Sequence, residues 1–275
     1  MSLPLLPLLA AMPDLSPGRA CLEAFLRTRA SLDGTETVFH WTGEVHAFPE
    51  GAPGVLLFSG EGFNVARLER VEGGWRMLSR EVFLYRDPGT GAILESWANP
   101  MTGDTVGVVP VLNDPVNAVF LESRDGEAFD LPHEVLPGGI LSWNVSILVA
   151  YPSPLPRDSF PLNSASDTYQ GAELFHFFSP LDALGDTSLS SVPCTISWTR
   201  FGQWLPWMEM GDRPGWLVYS CTGSKLGCYA ELPEDVRAFV DSAAPEFAHA
   251  PVEYTRPNCT SWTYFRRLLG EGRTR

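Results

Sequence analysis

Between Thr37 and Phe48 apolar and polar side chains alternate strictly. Phe39, Trp41, Val45 and Ala47 fall on one side of an extended chain, and His40, Thr42, Glu44 and His46 on the other. A period of two marks a half-buried β-strand. Strand-like runs recur at Val55–Ser59, Asn64–Val71, Trp75–Arg86, Leu141–Tyr151, Tyr169–Phe178, Thr195–Phe201 and Trp216–Thr222, the last closing at Gly223-Ser224-Lys225. On Tyr169–Phe178, Leu174, His176 and Phe178 share a face against Glu173, Phe175 and Phe177. The period lengthens to a helical one at three places. Pro17–Ala30 has Cys21, Leu22, Phe25 and Leu26 in one stripe behind Ser16 as N-cap. Glu234–Ala243 and Ser261–Leu269 follow near the end, the second with Gly270 as C-cap.

Trp75 to Asn113 contains two turns of one design, Asp87-Pro88-Gly89-Thr90-Gly91 and Asn99-Pro100-Met101-Thr102-Gly103. The Asx side chain accepts backbone N–H bonds, Pro presets φ, and Gly closes the bulge in the left-handed region. The pattern predicts a three-stranded meander with Gly91 and Gly103 at positive φ. Pairing Asp87 with Gly91 sets Tyr85 against Ile93, Phe83 against Glu95 and Glu81 against Trp97. The second turn sets Trp97 against Thr105. One face then carries Trp75, Met77, Ser79, Glu81, Phe83, Tyr85, Ile93, Glu95, Trp97 and Asn99. An aromatic surface with a few embedded polar groups suits the inner wall of a ligand-holding barrel better than a plain aliphatic core.

Nine to eleven strands in meander order with three helices predict a mainly β, single domain over residues 1–275. The expected form is an antiparallel meander closing into a barrel-like, calycin/lipocalin-like fold. An N-terminal helix (about 17–30) precedes strands over about 37–222, and two C-terminal helices (about 234–243 and 261–269) follow. The first helix plugs or flanks the barrel. Residues 122–138 read as a polar loop with a short strand near Phe129. Residues 152–166, with four prolines and four serines, read as a lid or a passive crossover.

The net charge of −14, from 33 acidic and 19 basic residues, argues against nucleic acid and anionic membranes as partners. Lys225 is the only lysine. Five cysteines at wide spacings, without a CxxC, support neither a zinc site nor a thioredoxin-type motif. Cys221 and Cys228 flank a Gly-rich turn and could pair, but free thiols in a reducing compartment are the better reading. The apolar start, MSLPLLPLLAAMPDL, has no basic residue and is broken by prolines, unlike a secretory signal. No apolar run reaches the roughly eighteen residues of a membrane span. The expectation is a cytoplasmic protein, with room for a homodimer.

Several motifs taken together resemble one known family. They are Glu61-Gly62-Phe63-Asn64, Tyr85-Arg86-Asp87-Pro88-x-Thr90-Gly91, Trp97-x-Asn99-Pro100-x-Thr102-Gly103, Asn113-Asp114-Pro115-Val116, Trp198-Thr199-Arg200 and Trp204-Leu205-Pro206-Trp207-Met208-x-Met210-Gly211. Over about residues 20–255 the chain is similar to the bacterial and fungal proteins of domain of unknown function 1838. The resemblance implies a barrel-like β fold and carries over no catalytic residue. Some relatives have a twin-arginine export signal; no arginine pair stands near the start of this chain.

Chemistry is narrowed by exclusion. Neither a Gly-x-Gly-x-x-Gly, a P-loop, a Gly-x-Ser-x-Gly elbow nor a His-Glu-x-x-His occurs. No organic cofactor is implied. His40, Glu44 and His46 on one strand face could bind a metal, but such a face is more often solvated, and no metal is expected. The remaining titratable groups in an aromatic cavity are Glu81, Tyr85, Glu95, Arg200, His176, His40 and Arg67. They suit a hydrophobic, aromatic or phenolic small molecule. One reading is a cofactor-independent lyase or isomerase with His176, Glu81 or Tyr85 moving the proton and Arg200 holding the oxyanion. Trp97, Asn99, Trp204, Trp207, Asn64 and Arg67 would contact the substrate. The alternatives are a non-catalytic lipocalin-like binder, or charges paired for structure alone. In Trp204–Met210, Pro206 is incompatible with a central strand. The segment therefore folds over one mouth of the barrel or caps a closed end.

Overall fold

The computed structural model describes residues 12–273, and within them the chain forms fourteen strands and four α-helices. The strands are β1 (Thr37–Pro49), β2 (Val55–Val71), β3 (Gly74–Arg86), β4 (Ser96–Ala98), β5 (Thr105–Gly107), β6 (Val111–Asn113), β7 (Ala118–Leu121), β8 (Ser123–Arg124), β9 (Glu127–Ala128), β10 (His133–Leu136), β11 (Ile140–Pro152), β12 (Thr168–Pro180), β13 (Thr195–Gly202) and β14 (Gly215–Leu226). The helices are α1 (Arg19–Arg29), α2 (Leu181–Gly185), α3 (Glu234–Ala243) and α4 (Ser261–Gly270). The apolar start read above, Met1 to Ala11, lies outside the described residues. No helix among them is long and apolar enough to cross a membrane.

The protein is mainly β, built on one ten-stranded antiparallel sheet in the order β10-β11-β12-β13-β14-β1-β2-β3. β6 and β7 lie end to end along the outer edge of β3. The two edges do not pair among the described residues, so hydrogen bonding does not close a barrel. The sheet nevertheless curls hard. Phe83 of β3 and Trp198 of β13 are four strands apart along the ladder, about 19 Å in a flat sheet. Their ring centroids are 6.1 Å apart across the concave side. Two inward-facing glycines permit this approach. A Cβ on Gly60 would lie 2.2 Å from the Phe83 ring, and one on Gly62 would lie 2.8 Å from Trp41 Nε1.

Helix α1 enters one end of the curl. Its stripe, Cys21, Leu22, Phe25 and Leu26, is fully buried. Phe25 touches Trp143 of β11 and Phe177 of β12 on one side and Phe120 of β7 on the other, bridging the gap between the sheet edges. Helix α4 brings Trp262 onto Tyr169, with ring centroids 4.5 Å apart. On the convex side, Val236 and Val240 of α3 and Phe247 cover Phe63, Val65, Val82 and Leu84 in a second core.

Gly91 and Gly103 do take positive φ, 76° and 84°. The register is one residue longer than expected. Asp87 N–H donates to Ala92 O and Asn99 N–H to Asp104 O, so Arg86 faces Ile93 and Trp97 faces Val106. The left-handed glycine adds the extra residue. The meander also breaks up. β6 and β7 occupy the edge of β3, and β4–β5 forms a separate hairpin held over the end of the curl by Asn99 Nδ2 donating to Met208 O at 2.9 Å. β14 runs on past Gly223, which pairs with Trp41, to Leu226. Helix α1 starts after Gly18 rather than Ser16, whose side chain bonds Asp14. Gly270 is the last residue of α4, not its cap, and the short helix α2 carries no clear sequence signal. Residues 152–166 are fastened down, with Leu155 buried, Asn163 donating to Pro206 O and Leu162 O accepting from Gly211 N–H. The five cysteines are free, Cys221 and Cys228 included.

Gly103→Val tests the turn. A Cβ at this position would meet open space, so only backbone strain opposes the change. A loss of about 1 kcal/mol or more is expected in denaturant unfolding. An unchanged midpoint would contradict the left-handed assignment.

Candidate functional site

Alternation along the long strands sends one set of polar side chains into the concave side. β3 contributes Glu81 and Tyr85, β12 contributes Tyr169 and Glu173, β13 contributes Arg200, and β14 contributes Tyr219. Register brings Glu173, Arg200 and Tyr219 into one cross-strand row, and the curl brings β3 over it.

Arg200 is the hub and is only 9% exposed. Its Nη2 donates to Tyr169 Oη at 2.7 Å, and its Nε lies 3.7 Å from Glu173 Oε1. The guanidinium stacks 5.0 Å from the Tyr219 ring and 5.8 Å from the Trp262 ring. Burial alone would lower its pKa, but Tyr169, Tyr219 and Glu173 outweigh that and hold it raised. Tyr85 and Tyr219 share a hydroxyl–hydroxyl hydrogen bond of 3.2 Å, and burial pushes both phenols up.

Glu81 has the more informative environment. Burial pushes its carboxyl up to about 7, and the nearby Glu173 charge adds to this. Asn113, Arg200 and Arg29 pull the other way. Among the described residues its hydrogen-bond partner is Asn113, whose Nδ2 donates to Oε2 at 3.2 Å. Several shielded polar atoms on this side have no partner among the described residues: Trp41 Nε1, Trp198 Nε1, Asn113 Oδ1 and Arg29 Nη1. Buried donors and acceptors are normally paired, so such a group implies water or a ligand. Access is from β11. Ile147 lies in the same inward row as Glu173 and Arg200 but is 44% exposed.

Glu81, Tyr85 and Arg200 thus share the concave face, Glu81 towards the α1 end and Arg200 in the Glu173–Tyr219 row. His176 does not join them. It pairs with Ser197 and stands exposed on the convex face beside Phe178, because Glu173↔Arg200 registry puts it one residue out of phase with the site. Arg67 is also convex, donating to Pro251 O and Val252 O. Asn64 faces inward, where it accepts from Arg29 and donates to Arg80 O. Trp97, Asn99, Trp204 and Trp207 cap a closed end. Trp207 packs on Phe58, Tyr85 and Trp97, and Trp204 Nε1 donates to Arg213 O. The Pro206–Met208 segment is a 3-10 turn, buried throughout. Glu95 is exposed. His40 bonds Glu61 at 2.7 Å in a convex chain that continues to Arg86 and Asp235. Among the described residues no group of three or more His, Cys, Asp or Glu is placed to hold a metal.

Reading the sequence alone does not single out Glu173, Tyr169, Tyr219, Asn113 or Arg29. Glu173 shares a strand face with Phe175 and Phe177, which is a usable signal. The others need the register between distant strands.

A family model described as a protein of unknown function, DUF1838, matches residues 34–269. Comparison with curated proteins found no match.

Proposed function

The chain belongs to the DUF1838 family, and we propose that its concave face is the active site of a cofactor-independent lyase or isomerase. The substrate would be a hydrophobic, aromatic or phenolic small molecule. The curled sheet, plugged by α1, would serve as a barrel-like container of the lipocalin kind. The observation that carries this reading is a half-buried carboxyl at Glu81, pushed up to about 7, on the same aromatic concave face as Arg200.

A general base works best when its pKa lies near the working pH. In its ionised form Glu81 would take a proton from a phenol or from carbon beside a carbonyl. The electron pair would move onto the oxygen, where Arg200 and the Tyr85–Tyr219 hydroxyl pair would hold the developing charge. Return of the proton to another carbon completes an isomerisation; loss of a leaving group with the electron pair completes an elimination. Low polarity around the site strengthens the oxyanion interaction.

The test is hydrogen–deuterium exchange by NMR on a panel of enolisable aromatic ketones in D2O. The expected result is catalysed exchange with the wild type. Glu81→Gln should slow it by roughly a hundredfold or more while folding is retained. Saturable binding of these compounds with no exchange at any pH would instead support the non-catalytic binder.

A further inference from the structure

Arg29 at the end of α1 differs from the other arginines that have shielded nitrogens. Arg80 faces Asp114 at 2.9 Å and Arg86 faces Glu61 at 2.5 Å. Arg29 makes no ion pair among the described residues. Its Nη2 donates to a neutral acceptor, Asn64 Oδ1, at 2.6 Å, and its guanidinium lies over the Phe39 ring at 5.1 Å. Its Nη1 is shielded from solvent and has no partner among the described residues. A guanidinium nitrogen shielded from water and left unpaired is costly, and an anion would complement it.

Its surroundings complete an anion-binding set. Asn64 pairs across β2–β3 with Glu81, so Arg29 stands beside that carboxyl, and burial pushes the Arg29 pKa down to about 10 while Cys194 and Glu81 pull back. Trp41 Nε1 lies over Gly62, two residues from Asn64 on the same strand face, and is itself without a partner among the described residues. Two unused N–H donors, one of them charged, therefore stand beside β2 positions two residues apart, Gly62 and Asn64, on the concave face. Arg200 occupies the other end of that face, where Tyr169 and Glu173 already engage it.

We propose that Arg29, with Trp41 Nε1, anchors a carboxylate or equivalent anionic group of the ligand, so that the concave site takes hydrophobic aromatic acids. This rests on the reading of the concave face as a ligand site and names the class of molecule it accepts. The anion reaches Arg29 beside Asn64, where the Phe39 ring lies under the guanidinium.

The test uses two probes of matched size, naphthoate and naphthylmethanol, titrated into the full chain by calorimetry and tryptophan quenching. The wild type should bind naphthoate roughly ten- to a hundredfold more tightly, the range for hydrogen bonds to a charged group. Arg29→Gln should remove most of that preference, and Arg29→Lys should restore part of it. Equal affinity for the two probes in the wild type overturns the anion anchor but leaves the concave site standing. Preference for naphthoate that survives in Arg29→Gln also overturns it, since the anion is then held elsewhere. Binding of neither probe sinks both this inference and the ligand site on which it rests.

Discussion

Arg200→Met should lower stability by about 3 kcal/mol. Removing one partner of a buried ionic cluster typically costs about 3–5 kcal/mol, because the groups left behind lose their compensation. Here Tyr169 loses its partner, Glu173 loses its counter-charge, and the Tyr219 and Trp262 rings lose a stacked cation. Glu173 is 36% exposed at its side chain and can turn to water, which places the cost at the lower end. Methionine keeps most of the apolar stem, so the loss reports the charge and hydrogen bonds rather than a cavity. For a chain of this size the melting temperature should fall by roughly 6–12 °C. Arg200→Lys should recover little, since an ammonium cannot reproduce the planar fork. A melting curve unchanged in Arg200→Met would mean that the cluster is not a structural hub.

Glu81→Gln should change how stability depends on pH. The folded-state pKa of Glu81, about 7, lies above its ordinary value of 4.5. The folded chain therefore holds the Glu81 proton more tightly than the unfolded chain. The stabilisation this brings is fully present below about pH 4.5 and is lost as pH rises through about 7. At 1.36 kcal/mol per pKa unit the whole swing is about 3 kcal/mol. Gln has no such titration and still offers an oxygen to Asn113. The difference in unfolding free energy, variant minus wild type, should therefore rise by about 3 kcal/mol between pH 4.5 and pH 8. Denaturant melts of both proteins across that range would measure it. A difference that stays flat would show that Glu81 has an ordinary carboxyl pKa, and would remove the main support for its role as a base. A carboxylate that destabilises the fold at neutral pH is easier to understand at a functional site than in a purely structural core.

The chain's local chemistry is enough to sort side chains between faces. Alternation is a property of the extended backbone, so Phe39 and Trp41 are separable from His40 and Thr42, and Glu81 and Tyr85 from Arg80 and Leu84, without any knowledge of a partner strand. The turn glycines are legible for the same reason: Asp87 and Asn99 act within five residues, and Gly91 and Gly103 adopt the expected φ. Helical spacing gives α1, α3 and α4 nearly to the residue, with the ends displaced by one or two.

Tertiary structure decides what those faces meet. β1 pairs with β14 from the far part of the chain, and β6 and β7 take the edge of β3 that a simple meander reserves for the next strand. Such pairings depend on competition among all available edges, which no local period encodes. The same limit explains the site. That Glu173 and Arg200 share a row, and that His176 therefore faces solvent, is fixed by the β12–β13 register. The case for His176 rests on the ordinary titration range of imidazole alone. The near-neutral pKa of Glu81 arises only when the curl buries it beside Glu173. Arg29 lies on a helix whose buried stripe is plain in the sequence, yet its approach to Asn64 and Glu81 depends on where α1 enters the sheet. Periodicity is a short-range consequence of backbone geometry; burial, charge proximity and an unpaired donor are long-range consequences of packing, and in this protein the candidate chemistry is made of the second kind.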